Sequence, residues 1–168
     1  MDITATTQNK RDYCMSLDLK RIKKELETLP NLENIKQISL QGTHDNLDPF
    51  LGVGKLRLIK GDYKETDFVV PIFDIPYINS IMKDLKMFRT RLMKLYPREC
   101  YTYHYDYTKR IHIPLVTDKN CFIIEDKQIK HLPADGNYYI VDTTKWHTAL
   151  NGSAELTRTH IVGGIDVT

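Results

Sequence analysis

Two side chains that could bind a metal ion, His104 and Asp106, lie two positions apart in residues 101–108, which read Tyr-Thr-Tyr-His-Tyr-Asp-Tyr-Thr. Tyrosine alternates with other residues here, which predicts a β-strand with His104 and Asp106 on one face. Their side chains would begin about 7 Å apart and could converge on one ion at ligand distances near 2 Å. The other face would carry the tyrosines, which we expect to pack in the core: Tyr101, Tyr103, Tyr105 and Tyr107. The alternative is a chance tripeptide that binds nothing.

A second histidine, His147, precedes Arg158 across the turn signal Asn151-Gly152, a pattern that predicts a β-hairpin. A two-residue loop would pair His147 with Leu156, and a four-residue loop would pair it with Arg158. Either register puts His147 and Arg158 on one face, within about 8 Å of each other. The alternative is a histidine in the core and an arginine on the surface.

Two histidines and one carboxylate are the ligand set of a facial triad, which leaves coordination positions open. This set suits iron(II) oxygenases better than closed structural zinc sites. A 2-keto acid can chelate through its keto oxygen and first carboxylate, which leaves one position for O2. Its far carboxylate then needs a buried cation, and a bidentate arginine is the natural group. We therefore predict Fe(II) at His104, Asp106 and His147, and 2-oxoglutarate at Arg158.

A further pair of polar residues, Arg110 and His112, lies in the otherwise apolar segment Arg-Ile-His-Ile-Pro-Leu-Val of residues 110–116. In a strand the two share one face, and the opposite face carries the apolar residues Ile111, Ile113 and Leu115. Polar groups at such positions invite a functional interpretation. The alternative is that they are edge or surface residues.

The rest of the chain must position these side chains. Ser16 could cap a helix in which Leu19, Ile22, Leu26 and Leu29 recur at helical spacing before Pro30, and a second helix is predicted at residues 77–86. Strands are predicted at 35–40 and 55–59, then at 89–95, 101–108, 111–116, 121–124, 138–141, 146–150 and 156–162. Helices followed by about seven short strands predict a mainly β fold with flanking helices, a cupin-like double-stranded β-helix or jelly roll.

Composition narrows the class of protein. A length of 168 residues with 41% hydrophobic residues allows one domain, expected at 16–168 after a flexible tail at 1–15. The 24 basic and 22 acidic residues nearly balance, so we expect no nucleic-acid partner. Three well-separated cysteines without a CxxC pair indicate a reducing compartment. Because the N-terminus lacks an apolar stretch, we expect no signal peptide or membrane anchor, and a cytoplasmic protein.

From about Phe88 to Ile165 the sequence resembles the aspartyl/asparaginyl β-hydroxylase family, which includes bacterial hydroxylases of free proline. The likeness rests on these motifs, in order: Arg89-Thr-Arg-Leu-Met-Lys-Leu-Tyr-Pro97, His104-x-Asp106, Arg110-Ile-His-Ile-Pro-Leu115, Asp135-Gly136, Trp146-His147 and Arg158. Family members fold as a double-stranded β-helix and bind Fe(II). They hydroxylate an amino-acid side chain while 2-oxoglutarate is decarboxylated to succinate and CO2.

The resemblance implies the same activity here, on a free amino acid such as proline or on Asp, Asn or Pro in a peptide or protein. It assigns His104 and His147 to iron and Arg158 to the distal carboxylate of 2-oxoglutarate. Arg110 and His112 match positions near the co-substrate's first carboxylate.

Two features separate the chain from the animal enzymes of this family. They carry glycine at the position of Asp106, whereas the bacterial proline hydroxylases keep the aspartate. They also carry a helical-repeat domain, which we do not expect here, and so we expect no epidermal-growth-factor-like substrate. Arg89 and Arg91 could reach a substrate carboxylate, or could be solvated surface residues.

Two other functions stay open from the sequence. One is a cupin-like metal enzyme that does not use 2-oxoglutarate. The other is a non-catalytic β-sandwich binding module with structural histidines.

Overall fold

The computed structural model describes residues 16–30, 33–55 and 61–166 of the chain. Its helical elements are α1 (Leu19–Leu26), α2 (Pro76–Asp84) and a 3-10 turn at Glu65–Asp67. The strands are β1 (Gln37–Ser39), β2 (Gln41–Gly42), β3 (Val70–Pro71), β4 (Phe88–Leu95), β5 (Glu99–Cys100), β6 (Lys109–Val116), β7 (Cys121–Glu125), β8 (Gln128–Lys130), β9 (Tyr139–Val141), β10 (His147–Asn151) and β11 (Arg158–Ile165). Among the described residues, no helix combines the length and apolar character needed to cross a bilayer.

The strands form two larger antiparallel sheets and one small pair. The first sheet has the order β1-β4-β11-β6-β9, the second has the order β5-β10-β7-β8, and β2 pairs with β3. Strands of both larger sheets line one cleft, and α1 and α2 pack against the first sheet. The predicted mainly β fold with flanking helices, a cupin-like jelly roll, is confirmed.

Alternation along β6 divides its side chains between the core and the cleft. Ile113 packs with Ile22 of α1 and Ile78 of α2 in the main hydrophobic core. Arg110 and His112 line the cleft instead. The two predicted faces of β6 are therefore confirmed. Helices α1 and α2 pack on the face of β6 opposite the cleft and support it there.

Helix α1 begins later than predicted, because Asp18 rather than Ser16 caps it. The Asp18 carboxylate accepts a hydrogen bond from the Arg21 backbone N–H at 3.0 Å. An aspartate at this position satisfies a backbone donor that the first turn leaves free. The predicted tail at 1–15 and, apart from Lys55, the predicted strand at 55–59 lie outside the described residues.

The predicted hairpin between His147 and Arg158 is wrong. Strand β10 pairs with β5 and β7, whereas β11 pairs with β4 and β6, so the two strands lie in different sheets. The reason is Asn151, whose buried side-chain amide donates to the carbonyls of Leu95, Tyr96 and Leu156 at 2.7–3.1 Å. These bonds hold the chain in a crossover between the sheets, where a tight Asn-Gly turn would have returned it to the same sheet.

The predicted strand at 101–108 is also wrong as a continuous element. The segment runs beside β10, with Cys100 opposite Leu150 and His104 opposite His147. The segment therefore advances four residues, from Cys100 to His104, where β10 advances three, from Leu150 to His147. The additional residue is that of a β-bulge. The predicted core position of the tyrosines holds only for Tyr101, which packs against a small core cluster. The other three are exposed: Tyr103, Tyr105 and Tyr107.

Candidate active site

A cleft of about 590 Å³ opens between the two larger sheets. All the residues that the sequence singled out for a site line it: His104, Asp106, His147, Arg158, Arg110, His112, Arg89 and Arg91. They come from five places in the chain, since β4, β6, β10 and β11 join the bulged segment before β6. The fold thus brings the candidates together, although not by the strand pairings expected from the sequence.

The three candidate metal ligands form one compact group. Their ligand atoms all lie within 4.8 Å of one another, and no other cluster of this kind occurs among the described residues. Asp106 lies between the imidazoles, with Oδ1 3.8 Å from His104 Nε2 and Oδ2 4.0 Å from His147 Nε2. Two ligand atoms that are each about 2 Å from one ion lie at most about 4 Å apart, so small side-chain rotations would bring all three groups within reach of one metal.

Backbone carbonyls orient both imidazoles of the group. His104 Nδ1 lies 2.6 Å from the carbonyl of Thr102, and His147 Nδ1 lies 3.0 Å from the carbonyl of Lys145. A carbonyl can only accept, so each Nδ1 carries the proton and each Nε2 keeps its lone pair. Burial lowers the pKa of His147, which favours the neutral form that binds metals. This donor set fits a divalent metal ion with open coordination positions.

Asp106 is held by Arg110, which is itself held by a residue that the sequence did not indicate. Arg110 Nε donates to Asp106 Oδ2 at 3.1 Å, and its terminal nitrogens donate to the two Glu65 oxygens at 3.0 and 2.6 Å. Thr108 and Arg89 also donate to Glu65. Burial raises the pKa of Glu65, but the hydrogen bonds and charge of Arg110, with help from Thr108 and Arg89, outweigh it and bring the pKa to about 2.

Glu65 lies 41 positions before Asp106, outside every motif recognised above. No local pattern marks it, because its 3-10 turn contains no buried residue and reads as an ordinary polar loop. A partial signal lies in Arg89 and Arg110, because a buried guanidinium is stabilised by an anion, either a carboxylate of the chain or one of a ligand.

Arg89 and Arg91 are both buried, so the surface alternative for them is wrong. Arg89 is fully engaged, because it contacts Glu65 and donates to the carbonyls of Gly52 and Gly54 at 3.0 and 2.6 Å. Among the described residues, Arg91 donates only to the Gln37 side chain at 3.2 Å, and its Nε has no partner there. Burial lowers the pKa of Arg91 to about 9.

Arg158 stands against two buried histidines. Its guanidinium lies 3.1 Å from His160 Nδ1, which lies 3.4 Å from His112 Nδ1. Burial lowers the pKa of Arg158 to about 10, and burial followed by the Arg158 charge puts the pKa values of both histidines well below the usual range. The histidines are therefore neutral, and Arg158 is a buried cation that no carboxylate of the described residues pairs with.

The family model of the aspartyl/asparaginyl beta-hydroxylases matches residues 17–164 of the chain. The chain belongs to this family. The match confirms the resemblance and extends it well before Phe88, through α1 and the turn that carries Glu65. The family is one of metal-dependent hydroxylases acting on amino-acid side chains, free or in polypeptides, which agrees with the His-Asp-His group in the cleft. No curated protein sequence is similar enough to this chain to count as a match.

Several solved structures align with part of the chain. A cupin superfamily protein of Desulfitobacterium hafniense aligns at 14% identity and a TM-score of 0.37, covering 46% of this chain and 66% of that one. A Photorhabdus luminescens protein has the same identity, TM-score and coverage of this chain, with 61% of its own length covered. A cupin domain of a transcriptional regulator from Enterobacter cloacae aligns at 16% identity and 0.38, covering 51% and 87%. The chain thus spans about two thirds or less of the first two proteins, and at these scores nothing about function follows.

Proposed function

We propose that this protein is an Fe(II)- and 2-oxoglutarate-dependent oxygenase that hydroxylates an amino-acid side chain. His104, Asp106 and His147 would hold Fe(II), and Arg158 would bind the far carboxylate of 2-oxoglutarate. The observation that carries the proposal is that one cleft holds a three-donor group and a buried arginine, Arg158, with which no carboxylate of the described residues pairs.

The charges of the cleft support a dianionic co-substrate. Glu65 neutralises part of the charge on Arg89 and Arg110, whereas Arg91 and Arg158 face the cleft without a carboxylate among the described residues. A buried cation without a partner is costly, and a bound carboxylate removes that cost. A guanidinium also matches the planar geometry of a carboxylate better than an ammonium group does.

The remaining polar residues divide into two roles. Arg110 has its hydrogen bonds committed to Glu65, Thr108 and Asp106, which supports a role in orienting Asp106 over direct contact with the co-substrate's first carboxylate. His112 stays our candidate for that carboxylate, because it is buried on the cleft wall on a strand next to that of Arg158.

Fe(II) with 2-oxoglutarate and O2 would supply the oxidising chemistry, with succinate and CO2 as co-products. The chain itself would bind the metal and the co-substrate, orient the metal ligands and exclude water. The carbonyls of Thr102 and Lys145 fix the imidazole tautomers, and Arg110 fixes the orientation of the Asp106 carboxylate. The negative charge of this carboxylate would offset part of the charge of a divalent ion in a partly desolvated site.

Thermal unfolding with Mn(II) as a stable metal probe, with and without 2-oxoglutarate, tests the proposal. A ligand of the folded state raises the melting temperature according to its saturation. We expect stabilisation by Mn(II), further stabilisation by 2-oxoglutarate only when Mn(II) is present, and succinate release with Fe(II). Stabilisation by metal alone, without succinate, would indicate a cupin-like metal enzyme. No metal-linked stabilisation would indicate a binding module.

A further inference from the structure

Three buried polar side chains follow one another along the wall of the cleft, and the middle one, His160, has no role in the proposed function. Arg158 and His160 lie two positions apart on β11, and His112 lies on the neighbouring strand β6. A guanidinium nitrogen of Arg158 is 3.1 Å from His160 Nδ1, and His112 Nδ1 is 3.4 Å from the same atom. One nitrogen of His160 therefore contacts both of the groups that we assign to the co-substrate.

These contacts fix where the protons of the two neutral rings lie. A guanidinium can only donate, so His160 Nδ1 accepts from Arg158 and the proton of His160 is on Nε2. Two lone pairs facing each other at 3.4 Å would repel, so His112 Nδ1 carries a proton directed at His160 Nδ1. The lone pair of His112 is then on Nε2, the nitrogen left for the cleft that this residue lines.

Packing alone does not explain a histidine at position 160. Its side chain is 1% exposed, and its Nε2 has no hydrogen-bond partner among the described residues. A buried N–H group without a partner destabilises the folded state, and a leucine of similar size would avoid that cost. The imidazole is therefore accounted for by its Nδ1, the atom that Arg158 and His112 share.

A carboxylate bound at His112 conflicts with this arrangement of protons. A carboxylate only accepts hydrogen bonds, and so does His112 Nε2 while the single proton of the ring is on Nδ1. Moving that proton to Nε2 would leave two lone pairs facing each other between His112 and His160, and a proton on His160 Nδ1 would oppose the Arg158 donor. The conflict ends when His112 gains a second proton, because an imidazolium donates through both nitrogens.

We propose that His160 is a positioning residue that keeps His112 Nδ1 protonated, so that binding of the co-substrate's first carboxylate takes up one proton from solvent onto His112 Nε2. The inference rests on the proposed function, in which His112 is the candidate for that carboxylate. The bound carboxylate supplies the negative charge that a buried imidazolium needs beside Arg158. The co-substrate itself takes up no proton, because both of its carboxylates are ionised near neutral pH.

The other titratable groups around the two rings hold their protonation between pH 7 and pH 8. Burial lowers the pKa of Arg91 to about 9 and that of Arg158 to about 10, so both stay largely charged. His147 is held neutral by the metal in loaded protein. Among the described residues, the groups around His112 are Arg158, His147, Arg110 and Arg91, and those around His160 are Arg158, His112 and His131. Of these, His131 is exposed and needs a control.

Calorimetry counts the proton directly. Protein saturated with Mn(II) would be titrated with 2-oxoglutarate at pH 7 and pH 8, in HEPES and in Tris, because the two buffers release different heats when they give up a proton. We expect close to one proton taken up per 2-oxoglutarate bound, and a Kd that rises about tenfold from pH 7 to pH 8.

Each other result has a distinct meaning. Tight binding with fewer than about half a proton taken up, and the same Kd at both pH values, would overturn the inference and leave the proposed function standing. Absence of any Mn(II)-dependent binding of 2-oxoglutarate would overturn the proposed function and the inference with it.

Variants separate positioning from packing. His160→Leu removes the acceptor, so His112 can carry its single proton on Nε2; proton uptake should fall to near zero, and the Kd should change less than about twofold between the two pH values. His160→Asn keeps an acceptor oxygen near the place of Nδ1 and should keep both the proton uptake and the tenfold pH dependence. His131→Asn is the matched control and should bind as the unaltered protein does. Full proton uptake in His160→Leu would refute the positioning role.

Discussion

Replacing Glu65 with glutamine tests whether the charged group behind Asp106 controls metal binding. Glu65 accepts hydrogen bonds from Arg110, Thr108 and Arg89, and among the described residues Arg110 alone also donates to Asp106. Glutamine is nearly the same size but neutral, and one of its two terminal groups donates. Glu65→Gln therefore leaves Arg89 and Arg110 without a buried anion, and Arg110 is free to draw Asp106 away from the metal position.

The pKa of Glu65 sets the size of the effect on stability. A carboxyl whose pKa falls from its ordinary 4.5 to about 2 on folding contributes about 3 kcal/mol to the free energy of unfolding. The folded-state pKa is depressed, so this contribution is fully present above pH 4.5 and is lost as the pH falls toward 2. Glu65→Gln should thus lose about 3 kcal/mol near neutral pH and lack this acid-dependent loss, in agreement with the cost of breaking a buried ion pair.

Metal affinity is the decisive measurement. Groups that orient metal ligands typically change affinity by about 10- to 100-fold when removed, so the Kd of Glu65→Gln for Mn(II) should rise by that factor. The KM for 2-oxoglutarate at saturating metal should change little, because Glu65 does not contact Arg158. Glu99→Gln is the matched control, since Glu99 forms an ion pair with Lys36 on the surface and should have no effect on metal binding. An unchanged Kd in folded Glu65→Gln would refute the role of this network.

Three other outcomes are expected. Arg158→Ala should weaken 2-oxoglutarate binding by roughly 2–5 kcal/mol while Mn(II) still stabilises the protein, and an unchanged KM for 2-oxoglutarate would remove Arg158 from the site. Asp106→Ala should lose most metal affinity and nearly all succinate release, as His147→Ala does; near-wild-type turnover in the aspartate variant alone would indicate a two-histidine site. His112 and His160 are held neutral by burial, so the free energy of unfolding should fall as the pH drops below 6.5, by up to about 2.7 kcal/mol per pH unit for the two together. Urea unfolding at pH 7.5 and 5.5 measures this slope, and a flat profile would contradict it.

The local sequence pattern was sufficient to predict the structure wherever the result depends only on which face of a helix or strand a residue occupies. Alternation along β6 predicted that Arg110 and His112 share the face opposite Ile111, Ile113 and Leu115, because a side-chain period of two is a property of any strand. The motifs at His104, Asp106, His147 and Arg158 named residues that meet in one cleft. Helix periodicity likewise found α1 and α2, although the cap at Asp18 shifted the start of α1.

The other features of the fold and site depend on contacts between residues far apart in the sequence, and no short segment of sequence predicts such contacts. The hairpin failed because the Asn151 side chain binds carbonyls as far as 56 positions away, which overrides the local turn preference of Asn-Gly. The tyrosines beside His104 were misplaced because alternation defines two faces without saying which one is buried, and Tyr103, Tyr105 and Tyr107 are exposed in the folded chain. Glu65 meets Arg110 across 45 positions, so only the folded chain could bring that carboxylate behind Asp106. The sequence determined which side chains are able to do the chemistry, and the tertiary structure decided which groups hold them and which rings surround them, because ion pairs and packing depend on distances that only the folded chain defines.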